Sequence, residues 1–248
     1  MRYRDKIYSS YYTHRQLLAA DLDSIESVTI WYKKEVLKIL PSDRDIKILD
    51  LGCGLGYFLY VLKKAGYKNI TGVDLGEEQL RVSQKLGVRD FVIQDDVFSF
   101  LKNKDKIYDV ICAFDLLEHF HKDELLDLLD LIYSRLTLGG MFIFRVPNGE
   151  ALFPGRIRYG DLTHELSFTR NSLAQALTVV GFNHYQFYPV KPVIHGIKSL
   201  ARRIIFEIFE KLLWLYLVAE TGGVRGYIIT QNFWGWAKKY EKHKTQDF

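Results

Sequence analysis

A chain of 248 residues, 48% hydrophobic and 26% charged, can bury one large core, which excludes a disordered or fibrous protein and leaves little room for two independent domains. Its 34 Lys and Arg against 30 Asp and Glu leave a net charge of +4, too mild and too mixed to point to nucleic acid. The two cysteines, Cys53 and Cys112, lie inside apolar runs, and the polar opening MRYRDKIYSSYYTHRQ lacks the apolar segment of a secretory signal; a cytoplasmic protein without disulfides is expected.

The first 45 residues hold no strong strand. Residues 25–40 have helical spacing and stop at Pro41, so a helical preface is expected, with Tyr8, Tyr11, Tyr12 and His14 docking a terminal helix onto the core or closing over a ligand. Apolar, β-branched runs then recur at 46–51, 69–74, 90–94, 108–114 and 140–146, with helical patterns at 57–65, 77–86, 122–136 and 170–180. Runs that are nearly continuously apolar, with helices between them, predict an α/β fold with a doubly wound, mainly parallel sheet covered on both faces. This core takes residues 46–190 and is followed by a helical insert at 191–225 and a last strand with a basic tail at 226–248.

The insert reads as one long helix interrupted by Arg202, Arg203, Glu207, Glu210 and Lys211, which is too broken to span a membrane. Ile197, Leu200, Ile204, Ile208 and Leu212 recur at helical spacing, and Ile205, Phe209, Leu213 and Leu215 widen the stripe beyond one packing face. Cover from the rest of the domain, a second copy, or peripheral contact with the inner membrane through 197–220 are the alternatives, the last favoured by Lys198, Arg202 and Arg203 and opposed by Glu207 and Glu210.

The sharpest local signal is ILDLGCGLGY, a strand that runs into a glycine turn and opens a helix. Gly52, Gly54 and Gly56 allow a tight turn and close approach of a ligand to backbone. In a dinucleotide fingerprint the third glycine stands three places after the second; here it stands two after, and Tyr57 fills the expected place. Asp50 would repel a pyrophosphate and attract an ammonium group, so a zwitterionic nucleoside fits better than a dinucleotide. Asp74, ending the second run, can accept hydrogen bonds from ribose hydroxyls, and Asp96 with the following N–H can read an adenine edge. Each acid alone is more readily a cap or turn residue; their order at successive strand ends favours a nucleoside site.

With these motifs the chain resembles the class I S-adenosylmethionine-dependent methyltransferases over about residues 46–182: ILDLGCGLG matches the first motif, VDLG the ribose loop, QDDV the adenine loop and YDVICAFDLLEHF the fourth-strand motif. The resemblance implies a Rossmann-like seven-stranded sheet with an antiparallel last strand, here near 227–234. It implies S-adenosyl-L-methionine as cofactor, with Asp50 on the methionine amino group, Gly52, Cys53, Gly54 and Gly56 lining it, Asp74 and Leu75 at the ribose, Asp96 and Val97 at the adenine, and Phe114 in contact. GDLTHE with a following FT, His-Gly at 195–196 and the final TQNF are also similar to sugar- and polysaccharide-associated methyltransferases of bacteria.

Methyl transfer needs chiefly alignment, but an alcohol acceptor must lose its proton, and imidazole suits that task. His119, after the fourth strand, and His164, in the polar stretch after the fifth, are the candidates, with Glu118, Tyr159, Asp161 and Glu165 around the acceptor. The opposing reading of His119 is a helix-start residue bonded to backbone. Asp161, Glu165 and Glu118 could offer oxygens to a cation, but His119 and His164 lie 45 residues apart with no compact ligand spacing, so no metal is expected. The expected activity is methyl transfer to a hydroxyl of a carbohydrate or other small molecule, without nucleic acid. The alternatives are a nicotinamide-dependent oxidoreductase and a catalytically silent binding subunit.

Overall fold

The structure is a computed structural model and describes residues 7, 24–77, 83–102, 105–222 and 226–240. Its chain order is α1 (Ser24–Trp31) running into a π-helical turn (Tyr32–Val36), β1 (Lys47–Leu51), α2 (Tyr57–Lys64), β2 (Asn69–Asp74), β3 (Val92–Gln94), α3 (Val97–Lys102), β4 (Tyr108–Phe114), a 3-10 turn (Leu117–His119), α4 (Lys122–Arg135), β5 (Leu136–Pro147), α5 (Arg170–Val180), β6 (His184–Pro189), α6 (Ile197–Thr221) and β7 (Asn232–Lys238). Tyr8, Tyr11, Tyr12, His14 and residues 78–82 of the helix expected over 77–86 lie outside the described residues.

All seven strands form one sheet in the order β3-β2-β1-β4-β5-β7-β6, with β7 antiparallel to both of its neighbours. The Rossmann-like expectation is met. Side chains alternate across β5: Phe142 and Phe144 face a core shared with Leu128, Leu129 and Ile132 of α4 and Leu173 and Leu177 of α5, while Met141 and Ile143 face Phe58 and Leu62 of α2 with Trp31 and Tyr32. Each fully buried Leu, Ile or Phe contributes roughly 1.5–3 kcal/mol. α2 opens at Gly56, whose left-handed φ of +80° turns the chain. α4 begins with a capping box between His121 and Glu124, and α5 starts at the Thr169–Ser172 box and stops at Gly181.

Because β1 has β2 on one side and β4 on the other, all three parallel, the direction in which strands are added to the sheet reverses between β1 and β4. A crevice beyond the carboxyl ends of those strands is the expected ligand position in such sheets.

Three expectations are corrected. The last strand is Asn232–Lys238, not 227–234, because the carbonyls of Ile228 and Thr230 accept from the Asn148 side chain (2.6 and 2.8 Å). β5 starts at Leu136, four residues early, since Leu136 pairs with Tyr108 before a register shift. β6 has no counterpart among the apolar runs: it is an edge strand whose side chains alternate between exposed and half-buried. The long helix α6 forms, but among its 25 residues only Ser199 is buried; Ile197, Leu200, Ile204, Ile208 and Leu212 are exposed, so the described residues do not cover the stripe. No helix among the described residues is long and apolar enough to cross a membrane.

Candidate active site

The turn after β1 puts three glycines at positive φ: +63° at Gly52, +51° at Gly54 and +80° at Gly56. A Cβ on Gly52 would sit 2.8 Å from Leu116 Cδ1, so the loop after β4 lies directly against the turn, whereas a Cβ on Gly54 would meet open space. Asp74 braces the turn from β2: its Oδ2 accepts from the Gly54 N–H (2.8 Å) and its Oδ1 from the Gly76 N–H (2.9 Å). Each oxygen keeps a second lone pair for a hydroxyl donor. Burial raises the Asp74 carboxyl above its ordinary range, and the backbone N–H groups oppose that.

Asp50 is 3% exposed, and no described residue donates a hydrogen bond to its carboxylate. Burial and the neighbouring Asp74 push it well above the usual carboxylate range, against the pull of Arg145. A buried carboxylate without a donor is costly and is relieved by a cation with N–H groups, as an α-ammonium would supply. These two acceptors therefore fit the ammonium and ribose hydroxyls of a methionine-linked adenosine. Cys53 lines the turn with its thiol buried against Gly72 and raised by that burial, and Leu75 is exposed with its carbonyl bonded to Gln94. Asp96 Oδ1 accepts from the N–H groups of Phe98 and Ser99, so one of its oxygens caps α3, beside buried Val97.

At the end of β4, Asp115 adopts a left-handed backbone (φ +53°) and pairs with Arg145 of β5, whose Nε lies 2.9 Å from Asp115 Oδ1. The Arg145 guanidinium lies 4.6 Å from the Trp31 ring centre, over its face, and 5.6 Å from that of Tyr32. Burial works against its charge, but Asp115 and Tyr32 hold its pKa raised; burial pushes the Tyr32 phenol up to about 12. Phe114 is a packing residue of this aromatic group, with the rings of Trp31, Tyr32 and Phe58 at 5.0–5.7 Å. Trp31, Tyr32 and Arg145 escaped the sequence reading; the available signal was an arginine inside the apolar run GMFIFRV.

Past Leu116 the chain turns through Leu117–His119, and the Glu118 carbonyl accepts from the N–H groups of Glu165 (2.7 Å) and Leu166 (3.0 Å). That stitch joins two segments 45 residues apart and brings the His119 and His164 rings to 4.8 Å, edge to face. Glu118, His119 and His164 are all buried, with Glu118 only 1% exposed, and one ligand atom from each lies within 4.8 Å of the others. Arg158 donates to the carbonyls of His164 and Glu165, and Asp161 Oδ1 accepts from the Thr163 N–H (2.9 Å) and hydroxyl (2.6 Å). Glu165 faces His121 at 3.5 Å. Tyr159 is not gathered with them: it is 79% exposed, beside Arg158.

A family model described as "Methyltransferase domain" matches residues 29–186. Among curated proteins, the ubiquinone biosynthesis O-methyltransferase of Yersinia enterocolitica is 33% identical over 79 residues, 30% of this chain and 32% of that protein. The small RNA 2'-O-methyltransferase of Mus musculus is 29% identical over 140 residues, 50% of this chain and 35% of that protein. The match thus spans about a third of the length of these relatives. Among solved structures, a SAM-dependent methyltransferase from Archaeoglobus fulgidus superposes with a TM-score of 0.66 at 23% identity, covering 92% of this chain and 99% of that one. The magnesium protoporphyrin IX methyltransferase of Synechocystis PCC 6803 with bound SAH gives 0.55 at 14% identity, covering 95% and 97%. These two likenesses concern the fold. With the family model covering residues 29–186 of 248, the chain belongs to the methyltransferase domain family.

Proposed function

We propose that this chain transfers a methyl group from S-adenosyl-L-methionine to a hydroxyl of a small molecule, a carbohydrate among the candidates. S-adenosyl-L-methionine is the cofactor; when bound it supplies an electrophilic methyl on a sulfonium. The observation that carries the reading is the buried Asp50 carboxylate beside the open face of Gly54. Asp50 holds the ammonium group, Asp74 the ribose hydroxyls while bracing the turn, and the Asp96–Val97 segment the adenine. The packed rings of Trp31, Tyr32, Phe58 and Phe114 exclude water from the opposite side of β4, where a dry site favours displacement at a sulfonium.

Leu116, seated on Gly52, leads into the turn that carries Glu118 and His119, so the acceptor side begins three residues from the cofactor side. A hydroxyl acceptor loses its proton as its oxygen bonds to the methyl carbon, while the sulfur keeps the electron pair of the broken bond. The imidazoles of His119 and His164 with the Glu118 carboxylate are the groups that favour that loss, and Glu165 and Asp161 flank them.

Calorimetric titration with S-adenosyl-L-methionine, its demethylated product and NADH tests the cofactor. Selective binding of the first two is expected, and binding of NADH alone would overturn the assignment. Release of the demethylated product with a panel of nucleotide-linked sugars and phenols then tests the acceptor. No turnover with any hydroxyl, set against turnover with amines, would replace the oxygen by a nitrogen.

A further inference from the structure

Two hydrogen-bond chains fix the tautomer that each buried imidazole adopts when neutral. The Thr163 hydroxyl gives its only proton to Asp161 Oδ1 at 2.6 Å, so at the 2.9 Å contact with His119 Nδ1 it can only accept; Nδ1 carries the hydrogen. A neutral His119 ring therefore has its lone pair on Nε2. His164 Nδ1 lies 2.9 Å from the Ile157 carbonyl, which cannot donate, so a neutral His164 also has its hydrogen on Nδ1 and its lone pair on Nε2. That Nε2 is 4.0 Å from Glu118 Oε1.

We infer that Glu118, His119 and His164 form a binding site for one divalent transition-metal ion on the acceptor side. The inference rests on the methyl-transfer reading only for the role of the ion, not for its binding. Two imidazole lone pairs and one carboxylate, within 4.8 Å of one another and all buried, are a donor set for zinc, manganese, iron or cobalt that leaves further positions open. Outer partners on the far nitrogens, a carboxylate through Thr163 and a backbone carbonyl, are what ligating histidines ordinarily have, since they fix the tautomer and the ring direction. The backbone stitch from the Glu118 carbonyl to Glu165 and Leu166 holds the two segments in register without any ion, so the site is preformed. An ion there would bind the acceptor's oxygen at an open position and ease release of its proton to solvent, and the imidazoles would then act through the ion rather than as bases. Thr163 and Asp161 are positioning residues in this scheme. The linear spacing hid the set because its members come from two loops.

The test uses the full chain stripped with a chelator and dialysed. Titration with Zn²⁺ and Mn²⁺ by calorimetry, and with Co²⁺ by visible absorption, should give one tight site per chain with the spectrum of a nitrogen- and oxygen-ligated ion. Glu118→Gln and His164→Gln should abolish that site, and Thr163→Val, which keeps shape but removes the hydroxyl, should weaken it by about 10–100-fold. His195→Ala, which removes an exposed imidazole elsewhere, should leave it unchanged. A stripped wild-type chain that binds none of the three ions, or variants that bind them as the wild type does, would overturn the site and leave a structural Glu–His contact. Because S-adenosyl-L-methionine binding is measured separately on the stripped chain, loss of cofactor binding with intact ion binding counts against the methyl-transfer reading alone.

Discussion

The sheet and helix α6 are built from the same kinds of side chain and reach opposite ends of exposure. In β4, Val110, Ile111, Cys112 and Ala113 are completely buried between helices on both faces, whereas Ile204, Ile205, Ile208 and Phe209 of α6 stand in solvent. Apolar patterning thus sets secondary structure in both regions, but only the sheet has a second layer to close it. Polar bonds join α6 to the segment before it: Lys191 to Glu210, Arg203 to the Pro192 carbonyl, and the His195 N–H to Ser199 Oγ at 2.8 Å. A half-buried, solvent-screened ion pair such as Lys191–Glu210 contributes on the order of 1 kcal/mol. The fold's stability should therefore reside in the sheet, with α6 nearly neutral, and substitutions in the two regions should separate cleanly.

The largest separation is expected at Phe142, fully buried in β5 and ringed by Phe144 and Phe182. Phe142→Ala should cost about 3–5 kcal/mol in urea or thermal unfolding, through lost burial and an unfilled cavity. A loss below about 1 kcal/mol would mean that the two core layers repack around the gap, and the contrast with α6 would fail.

Asp50 comes next, because there the sheet gives up stability for ligand binding. Burial and Asp74 raise its carboxyl, so the folded chain holds that proton more firmly than the unfolded chain does. A raised folded value contributes stability below the unfolded pKa that is lost as pH climbs through the folded one, so the ligand-free protein should weaken from acid toward neutral pH. Asp50→Asn should remove that decline and raise the melting temperature near neutrality. It should also weaken S-adenosyl-L-methionine binding by about 1.5–3 kcal/mol, the worth of a charge-assisted hydrogen bond. Melting curves across pH with a binding titration check both halves. An Asn variant that is less stable and binds normally would place the carboxylate in the fold rather than in the site.

The glycine turn sharpens the distinction further. Gly52→Ala and Gly54→Ala each force a left-handed alanine, costing about 1–2 kcal/mol, but only the first also collides with Leu116. Gly52→Ala should be the less stable of the two. Gly54→Ala should lose more cofactor affinity, since its methyl projects into the open side of the turn. The reverse order on either measurement would mean that the cofactor approaches from the Leu116 side.

The parts legible in the sequence were those in which one residue type carries one physical demand. Continuous apolar runs announced β1, β2 and β4, glycines needing positive φ announced the turn, and the helical pattern at 170–180 announced α5. β6 was illegible because an edge strand with only one face half-covered has no need of a continuous apolar run, and the start of β7 was blurred because buried Ile228 and Ile229 look like a strand while Asn148 takes the carbonyls of Ile228 and Thr230. In the site, the acids and His119 stood out next to strand ends. Their closure with His164 depends on the bonds from Glu165 and Leu166 to the Glu118 carbonyl, which are backbone contacts that no residue type encodes.

The smallest expected effect tests the other side of the comparison. Ile205→Ser and Phe209→Ser replace exposed apolar side chains on α6 by a residue of similar helix propensity, so neither a cavity nor a propensity penalty arises. Each should change unfolding free energy by no more than about 0.5 kcal/mol, and the double variant by no more than the sum, because sites that lose nothing individually have no shared partner to couple them. Urea unfolding at two protein concentrations is the measurement, since it separates two causes of any larger loss. A loss that grows with protein concentration in the wild-type comparison would mean that a second copy covers the helix. A loss above about 1 kcal/mol independent of concentration would mean that α6 folds back onto its own domain in solution, and then the stability of this protein would not be confined to its sheet.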